Sequence, residues 1–154
     1  MKYSQSTELA IDSLFFMAAH LERHDFAVDE VAQAQRVSPS YLAKIFQQLA
    51  KAGLLRSHRG AKGGYQLAKP SSEITLLDIA SVFEGISPMY DCNASSKNCT
   101  LGPKCLIVST FREAERQMHA VLQGVSLEKL VDNWSKNSLK AEWVGVATSS
   151  GISI

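Results

Sequence analysis

The sequence predicts a mainly α-helical protein that carries one small β-hairpin. Apolar residues recur at helical spacing along most of the chain, and one glycine-rich stretch separates two short apolar runs. The chain has 154 residues, of which 45% are hydrophobic and 20% are charged, as in ordinary globular proteins. No apolar run approaches the roughly 18–20 residues that span a bilayer, and the N-terminus lacks the apolar core of a signal peptide. We therefore expect a cytoplasmic protein with no membrane segment.

The first three helices are predicted from apolar spacing and from capping residues. Helical spacing predicts one helix over residues 6–21 and a shorter one over about 29–35. Ser38 is a good N-cap for the third helix, and Pro39 suits the first helical position, where its missing N–H would be unpaired anyway. Gly53 stands where helices commonly end. Inward-facing positions are Val31 and Ala32 on the second helix, and Leu42, Ile45, Phe46 and Leu49 on the third.

A hairpin and a fourth helix follow. Residues 54–58 and 65–68 are strand candidates, with a glycine-rich hairpin tip between them. A phosphate-binding loop would need a helix after the glycines, and because a strand pattern follows instead, we reject that alternative. Thr75 begins the fourth helix, with Asp78 as its capping-box partner and Gly85 as its stop.

The remainder is predicted to hold a loop, a long helix and a short helix. The loop carries all three cysteines within it or at its exit. The long helix is expected over about 103–122, and Ser126 caps a last helix that runs to about Trp134. By range, the predicted organisation is a first domain over 1–85, a cysteine-bearing loop over 86–105, the two remaining helices over 103–137 and an irregular tail over 138–154.

The order of the first elements is that of a winged helix-turn-helix domain. The long helix extends this domain and cannot bury its whole apolar stripe on it. The same helix of a second subunit is the simplest partner that would bury the stripe. We therefore expect a twofold homodimer in which this is the dimerisation helix. Packing of the stripe within the chain is the alternative. The stripe consists of Ile107, Phe111, Ala114, Met118 and Val121.

The charge distribution indicates a polyanionic partner. The net charge is only +1, but residues 36–69 contain seven basic residues and no acidic one. A solvated face is the usual explanation of a short charge run, but thirty-four residues without a carboxylate favour polyanion binding. Together with the fold, this segment predicts binding to double-stranded DNA.

The expected DNA contacts lie on the third helix and on the hairpin tip. In such motifs the second helix of the pair enters the major groove and presents its N-terminal residues to base edges. A basic residue on a glycine-rich wing can approach the backbone or the minor groove. The predicted residues are Ser38, Ser40, Tyr41, Lys44 and Gln48 on the helix and Arg59 and Lys62 on the wing. The tyrosine either bonds a phosphate or leans on the core, and His58 at the strand end is expected near the DNA.

The three cysteines indicate metal or redox chemistry. Cys92, Cys99 and Cys105 follow the spacing C-x6-C-x5-C, and an odd number in a reducing cytosol argues against a disulfide framework. Structural zinc sites show closer cysteine pairs, whereas this looser spacing is compatible with an iron–sulfur cluster. Three free cysteines without metal are the alternative.

Three further motifs carry a resemblance. They are Ser38-Pro39-Ser40-Tyr41-Leu42, then Leu49 with Gly53-Leu54-Leu55, then Arg59-Gly60 with Gly63-Gly64-Tyr65. This combination, with the three cysteines, resembles the Rrf-two family of winged-helix transcription regulators over about residues 1–137. The resemblance implies a homodimer with crossed long helices, in which each loop holds a cluster near the partner's DNA-binding domain. Gain, loss, oxidation or nitrosylation of that cluster would then alter operator binding.

The fourth cluster ligand is where the resemblance is partial. Some family members have a histidine three residues after the third cysteine, where this chain has Val108. Others use a carboxylate near the N-terminus of the opposite subunit, and Glu8 occupies the corresponding place. A solvated first-turn carboxylate favoured by the helix dipole is the equal alternative for Glu8. A histidine partner found in one such member is also missing, since this chain has Gln33 there, and Asp91 and Asp12 are weaker candidates.

We therefore predict a homodimeric regulator that binds a palindromic DNA operator under the control of an iron–sulfur cluster, either [2Fe-2S] or [4Fe-4S]. The cluster would sense iron, nitric oxide or redox state, and the alternative is a metal-free, thiol-based redox regulator of the same fold. We expect no enzyme, because a metalloenzyme needs an open metal position, a general base and a pocket, and the sequence has no such constellation. A protein-interaction module would leave the acid-free basic segment unexplained.

Overall fold

The computed structural model describes residues 2–20, 22–23, 25–58, 63–85, 88–92, 101 and 104–136. Within them the chain is mainly helical with one two-stranded antiparallel sheet, as predicted. In chain order the elements are α1 (Gln5–Ala19), α2 (Val28–Ala34), α3 (Pro39–Lys51), β1 (Leu55–His58), β2 (Gly64–Leu67), a 3-10 turn (Ser71–Glu73), α4 (Leu76–Glu84), α5 (Leu106–Gln123) and α6 (Leu127–Lys136). The predictions for Arg59, Lys62, Cys99 and the tail 138–154 lie outside the described residues.

Helix α1 is the centre of the core. Ser4 caps it, because its Oγ accepts a hydrogen bond from the Thr7 backbone N–H at 3.3 Å. The helix packs against α3, α4 and α6, which explains why its apolar residues occupy more than one face. Phe16 of α1 and Phe46 of α3 are the largest of its fully buried side chains. None of the described helices combines the length and the hydropathy needed to cross a bilayer.

The turn between α2 and α3 sets up the helix-turn-helix. Arg36 adopts the left-handed backbone conformation there, with a φ of 56°. Ser38 caps α3 as predicted, accepting from the Tyr41 backbone N–H at 3.2 Å, and Pro39 is the first helical residue. Gly53 follows the end of α3 with a φ of 76°, a conformation that glycine adopts without steric cost.

The hairpin is attached to the rest of the domain by a single residue that pairs with β2 in the manner of a third strand. Leu55 of β1 lies opposite Leu67 of β2. Phe26 forms an isolated bridge with Tyr65 of β2, with both backbone hydrogen bonds at 2.9 Å. A Cβ on Gly64 would lie 2.9 Å from the Phe26 carbonyl oxygen, so only glycine fits beside this bridge.

Helix α4 begins with the predicted capping box. The Thr75 backbone N–H donates to Asp78 Oδ2 at 2.9 Å, and the Asp78 backbone N–H donates to Thr75 Oγ1 at 3.2 Å. Gly85 ends the helix with a φ of 75°. The 3-10 turn before it (Ser71–Glu73) was not predicted from the sequence.

The chain returns to the start of α4 before it forms α6. Thr75 and Ser126 form an isolated antiparallel bridge, and two backbone hydrogen bonds of 2.9 Å flank it. Helix α6 then packs on α1, where the rings of Trp134 and Phe15 meet edge to face with centroids 6.1 Å apart. The chain that follows α4 therefore returns to the start of α4 before it enters α6.

Helix α5 leaves much of its apolar stripe exposed. It begins at Leu106, with Cys105 as N-cap, which is three residues later than predicted. It contacts α4 but buries none of its own residues fully. The exposed fractions are 78% for Leu106, 56% for Ile107, 39% for Phe111 and 69% for Val121.

Candidate nucleic-acid interface and cysteine segment

The outer face of α3 has the composition of a DNA-reading surface. Ser40, Lys44 and Gln48 are all exposed and recur every fourth residue, so they form one stripe along the helix. The opposite face is fixed in the core by the predicted apolar stripe, in which Leu42, Ile45, Phe46 and Leu49 are buried. The backbone of the polar stripe is thus held rigidly while its side chains stay exposed.

The acid-free segment that carries this stripe exposes basic side chains without ion-pair partners among the described residues. Five of the seven basic residues in the acid-free segment lie in the described part of the chain, and all five are exposed. None of them forms an ion pair with another described residue. They are Arg36, Lys44, Lys51, Arg56 and Lys69. This arrangement favours attraction of a polyanion rather than a self-neutralised face.

Three of the predicted DNA-binding side chains have hydrogen-bond partners within the protein. The Ser38 oxygen accepts the capping hydrogen bond and lies 3.4 Å from the Ser40 oxygen. Tyr41 is half-buried against the core, and its hydroxyl shares a hydrogen bond of 3.0 Å with the Ser6 hydroxyl of α1. Tyr41 was expected either to bond a phosphate or to pack on the core, and the structure favours packing on the core.

The described part of the wing places His58 beside an acidic residue. His58 Nε2 lies 3.3 Å from Asp25 Oδ1, and both side chains are about half exposed. Asp25 comes from the chain just before Phe26, whose bridge to β2 brings the two together. His58 is thus exposed next to the wing tip, where the sequence predicts a position near the DNA.

The cysteine-bearing loop over residues 86–105, called the cysteine segment below, has an aromatic contact with α5 at Tyr90. The rings of Tyr90 and Phe111 lie nearly parallel with centroids 4.8 Å apart. Cys92 follows two residues later and is exposed, whereas Cys105 at the start of α5 is partly exposed, and both are free thiols. The stack therefore holds the Cys92 end of the segment near the N-terminal half of the helix that Cys105 begins. The sequence analysis missed Tyr90, although an aromatic residue in a segment without pattern signals such an anchor.

The candidate carboxylate ligands lie on the first turns of α1. Glu8 is exposed there, and burial raises the pKa of Asp12 one turn later, with the neighbouring Glu8 charge raising it further. Among the described residues, no three histidine, cysteine or acidic side chains are grouped closely enough to hold a metal ion. Cys99, the third predicted thiol ligand, lies outside those residues.

Glu84 is a polar anchor that the sequence analysis did not single out. Its Oε1 accepts from the Ser4 backbone N–H at 2.8 Å and from the Thr7 hydroxyl. These hydrogen bonds lower the pKa of Glu84, with the bond from Thr7 the main cause. The end of α4 is thereby tied to the start of α1.

These features define a class of protein. A helix-turn-helix with an exposed polar and basic reading helix, followed by a hairpin and an uncovered amphipathic helix, is a winged-helix DNA-binding transcription regulator. Over residues 3–133 the sequence matches the Rrf2 family, described as iron-dependent transcriptional regulators. The chain belongs to this family, which is the one its motifs resemble. It is therefore a regulator and not an enzyme, as expected.

Individual relatives agree with this assignment. Protein aau3 of Rhizobium meliloti is 36% identical over 132 residues, which is 85% of each chain. Among solved structures, T. potens IscR matches with a TM-score of 0.70 and 25% identity, covering 92% of this chain and 93% of that one. CymR, the global cysteine regulator of B. subtilis, matches with a TM-score of 0.67 and 28% identity. The match covers 86% of this chain and 98% of that one.

Proposed function

We propose that this protein is a cytoplasmic homodimer whose binding to a palindromic DNA operator is controlled by an iron–sulfur cluster. The observation that carries the proposal is the position of the thiols. Cys92 and Cys105 are free and at least partly exposed, and they lie between the winged-helix domain and the uncovered helix α5. A chemical change at this junction therefore acts next to both the DNA-reading domain and the dimer contact.

The DNA contact uses α3 in the major groove and the wing on the backbone or in the minor groove. Its support is the exposed stripe of Ser40, Lys44 and Gln48 within a segment, residues 36–69, that contains no acidic residue. Arg59 and Lys62 at the wing tip complete the contact. A twofold dimer presents two such helices, which matches a palindrome whose half-sites are about 34–36 Å apart.

The homodimer is supported by α5. Four large apolar side chains on this helix are 39% to 78% exposed in the single chain. A contiguous exposed apolar surface of this kind marks an interaction site, and a second copy of α5 covers it with matching chemistry.

The residues available for the cluster suit iron. Cys92, Cys99 and Cys105 would supply thiolates, which are the usual ligands of iron–sulfur clusters of either the [2Fe-2S] or the [4Fe-4S] type. Cys105 is the N-cap of α5, where free backbone N–H groups favour an anionic ligand. A bound cluster would supply redox-active, nitrosylation-sensitive iron at the junction.

Glu8 of the partner subunit would be the fourth ligand. Tyr3 Oη donates to Met118 Sδ at 3.7 Å within one chain, and Met118 lies roughly 20 Å along α5 from Cys105. A chain's own N-terminal segment is therefore directed to the far half of its α5, which favours donation across the dimer. A single oxygen ligand leaves one labile corner, which suits a sensor better than an electron carrier.

The second candidate function is a metal-free thiol regulator of the same fold. The exposed, free thiol of Cys92 favours it, as does the similarity to CymR of Staphylococcus aureus, which has a solved structure in an oxidized form. This candidate requires DNA binding that responds to peroxide or diamide in iron-free protein.

Anaerobic purification tests the proposal, with absorption spectroscopy, iron and sulfide analysis, and operator binding before and after cluster removal. We expect a brown protein with stoichiometric iron and sulfide, and an operator affinity that changes on cluster loss. Glu8→Gln should alter the spectrum or shorten the cluster's lifetime, whereas Glu128→Gln, at an exposed first-turn glutamate of α6, should not. Protein that stays colourless after anaerobic reconstitution would overturn the cluster proposal, and a peroxide response would then favour the thiol regulator.

A further inference from the structure

The first turn of α1 is held by hydrogen bonds from two sides. On one side the Ser6 hydroxyl and the Tyr41 hydroxyl of α3 are 3.0 Å apart. On the other side the Ser4 backbone N–H and the Thr7 hydroxyl both donate to Glu84 at the end of α4. Ser4, Ser6 and Thr7 thus connect α3 and α4 by hydrogen bonds, in addition to the direct packing of these two helices on each other.

The Tyr41 side of this turn leads to the DNA-reading surface. Tyr41 lies in the first turn of α3, directly after Ser40 and one turn before Lys44, so its position fixes the end of α3 that faces base edges. Its ring packs on the core while its hydroxyl bonds Ser6. A displaced α1 turn therefore shifts or frees the start of the reading helix.

The Glu84 side leads to the cysteine segment. Glu84 is the last residue of α4, and Gly85 follows it with a φ of 75° before the chain enters that segment. An ionised carboxylate makes stronger hydrogen bonds than a neutral acceptor, and the lowered pKa of Glu84 fits the ionised form. The hydrogen bonds to Glu84 therefore join the α1 turn to the point where the chain leaves α4 for the cysteine segment.

We propose that the first turn of α1 (Ser4, Ser6 and Thr7) couples the cysteine segment to the reading helix, with Glu84 and Tyr41 as positioning residues. The inference rests on the proposed function, in which chemistry at the cysteines controls DNA binding. A helix end is suited to this role because terminal turns open locally at low free-energy cost. The turn then has two arrangements, one bonded to both Glu84 and Tyr41 and one released.

A double-mutant cycle on the full-length protein tests the coupling. Operator dissociation constants are measured in the cluster-loaded and cluster-free states for wild type, Tyr41→Phe, Glu84→Ala and the double variant. The quantity compared is the ratio of the dissociation constants in the two states. Each single change should bring this ratio closer to one by about three- to tenfold, as expected for members of one hydrogen-bonded network. The double variant should show no further reduction, and Glu84→Gln, which keeps an acceptor oxygen, should recover part of the ratio.

Two controls separate this role from the alternatives. Ser81→Ala removes a hydroxyl of α4 that bonds only the Leu77 carbonyl and should leave the ratio unchanged. Ser6→Ala should reproduce Tyr41→Phe, because both remove the same hydrogen bond. Additive effects in the cycle would overturn the inference. So would a loss of affinity in both states by Tyr41→Phe with none by Ser6→Ala, since that result would place the Tyr41 hydroxyl on the DNA.

Amide hydrogen exchange tests the link without relying on the cluster. In iron-free protein, Glu84→Ala should speed exchange in the first turn of α3 by about three- to tenfold, and Ser81→Ala should not. Unchanged exchange would refute the link itself. A wild-type protein whose operator affinity ignores the state of the cysteines would instead refute the proposed function.

Discussion

Replacing Ile107 by alanine tests whether α5 is the dimer contact. The change removes three side-chain carbons, each worth about 0.8 kcal/mol when fully buried. Ile107 is 56% exposed in the single chain, so about half of that burial is available to a partner, or roughly 1.3 kcal/mol per subunit. Because a twofold interface contains the residue twice, the dimer should lose about 2.7 kcal/mol, which raises its dissociation constant roughly 100-fold.

Sedimentation or light scattering over a dilution series measures this dissociation constant. Ser109→Ala is the matched control, because Ser109 is exposed on α5 about 200° round the helix from Ile107. It should leave the dissociation constant unchanged, and circular dichroism should show both variants folded. An Ile107→Ala protein that dimerises as tightly as the control would refute the assignment of the apolar stripe to the subunit contact.

Three further predictions concern the wing, the Glu84 anchor and the reading helix. Gly64→Ala should destabilise the protein by about 1–3 kcal/mol in thermal unfolding, since the new Cβ would meet the Phe26 carbonyl at 2.9 Å. The pKa of Glu84 is lowered on folding, so its stabilising effect is present at neutral pH and is lost as the pH falls through that lowered value. The melting temperature of wild type should therefore exceed that of Glu84→Gln at neutral pH and converge with it in acid. Lys44→Ala should reduce the slope of log affinity against log salt by about one if Lys44 contacts a phosphate.

Each of these predictions has a result that would contradict it. Gly124→Ala is the control for Gly64, since a Cβ there would lie 3.4 Å from its nearest atoms; equal melting temperatures for the two variants would mean that the Phe26 bridge adapts. A difference between wild type and Glu84→Gln that persists in acid would show that the carboxylate charge is not responsible. A salt slope for Lys44→Ala equal to that of Lys104→Ala, at an exposed lysine outside the basic segment, would remove Lys44 from the phosphate contacts.

The sequence predicted best those features that depend on local chemistry. Ser38 and Pro39 define the start of α3 because a hydroxyl acceptor and a missing N–H both suit the first turn of a helix. The capping box of Thr75 and Asp78 was recognisable for the same reason. The family was recognisable because its motifs lie in these locally determined segments.

Features that depend on contacts between distant segments were not predicted. The stack of Tyr90 on Phe111 and the bonds from Glu84 to the start of α1 join residues far apart in sequence. The packing of α6 on α1 was missed as well, because the apolar spacing of α6 marks a buried face without naming its partner. The role of Tyr41 stayed open at the sequence level, since a tyrosine suits a phosphate and a core equally.

The bridge between Thr75 and Ser126 has a consequence for how such a chain can vary. Because Thr75 and Ser126 pair with each other, the chain between them is a closed loop, and among the described residues its part after α4 contributes nothing to the buried core cluster. The entropic cost of closing a flexible loop grows slowly, by only about 0.6 kcal/mol for each doubling of its length. Insertions or deletions between α4 and α5 should therefore cost little folding free energy, so the spacing of the cysteines can change while the DNA-reading core keeps its shape.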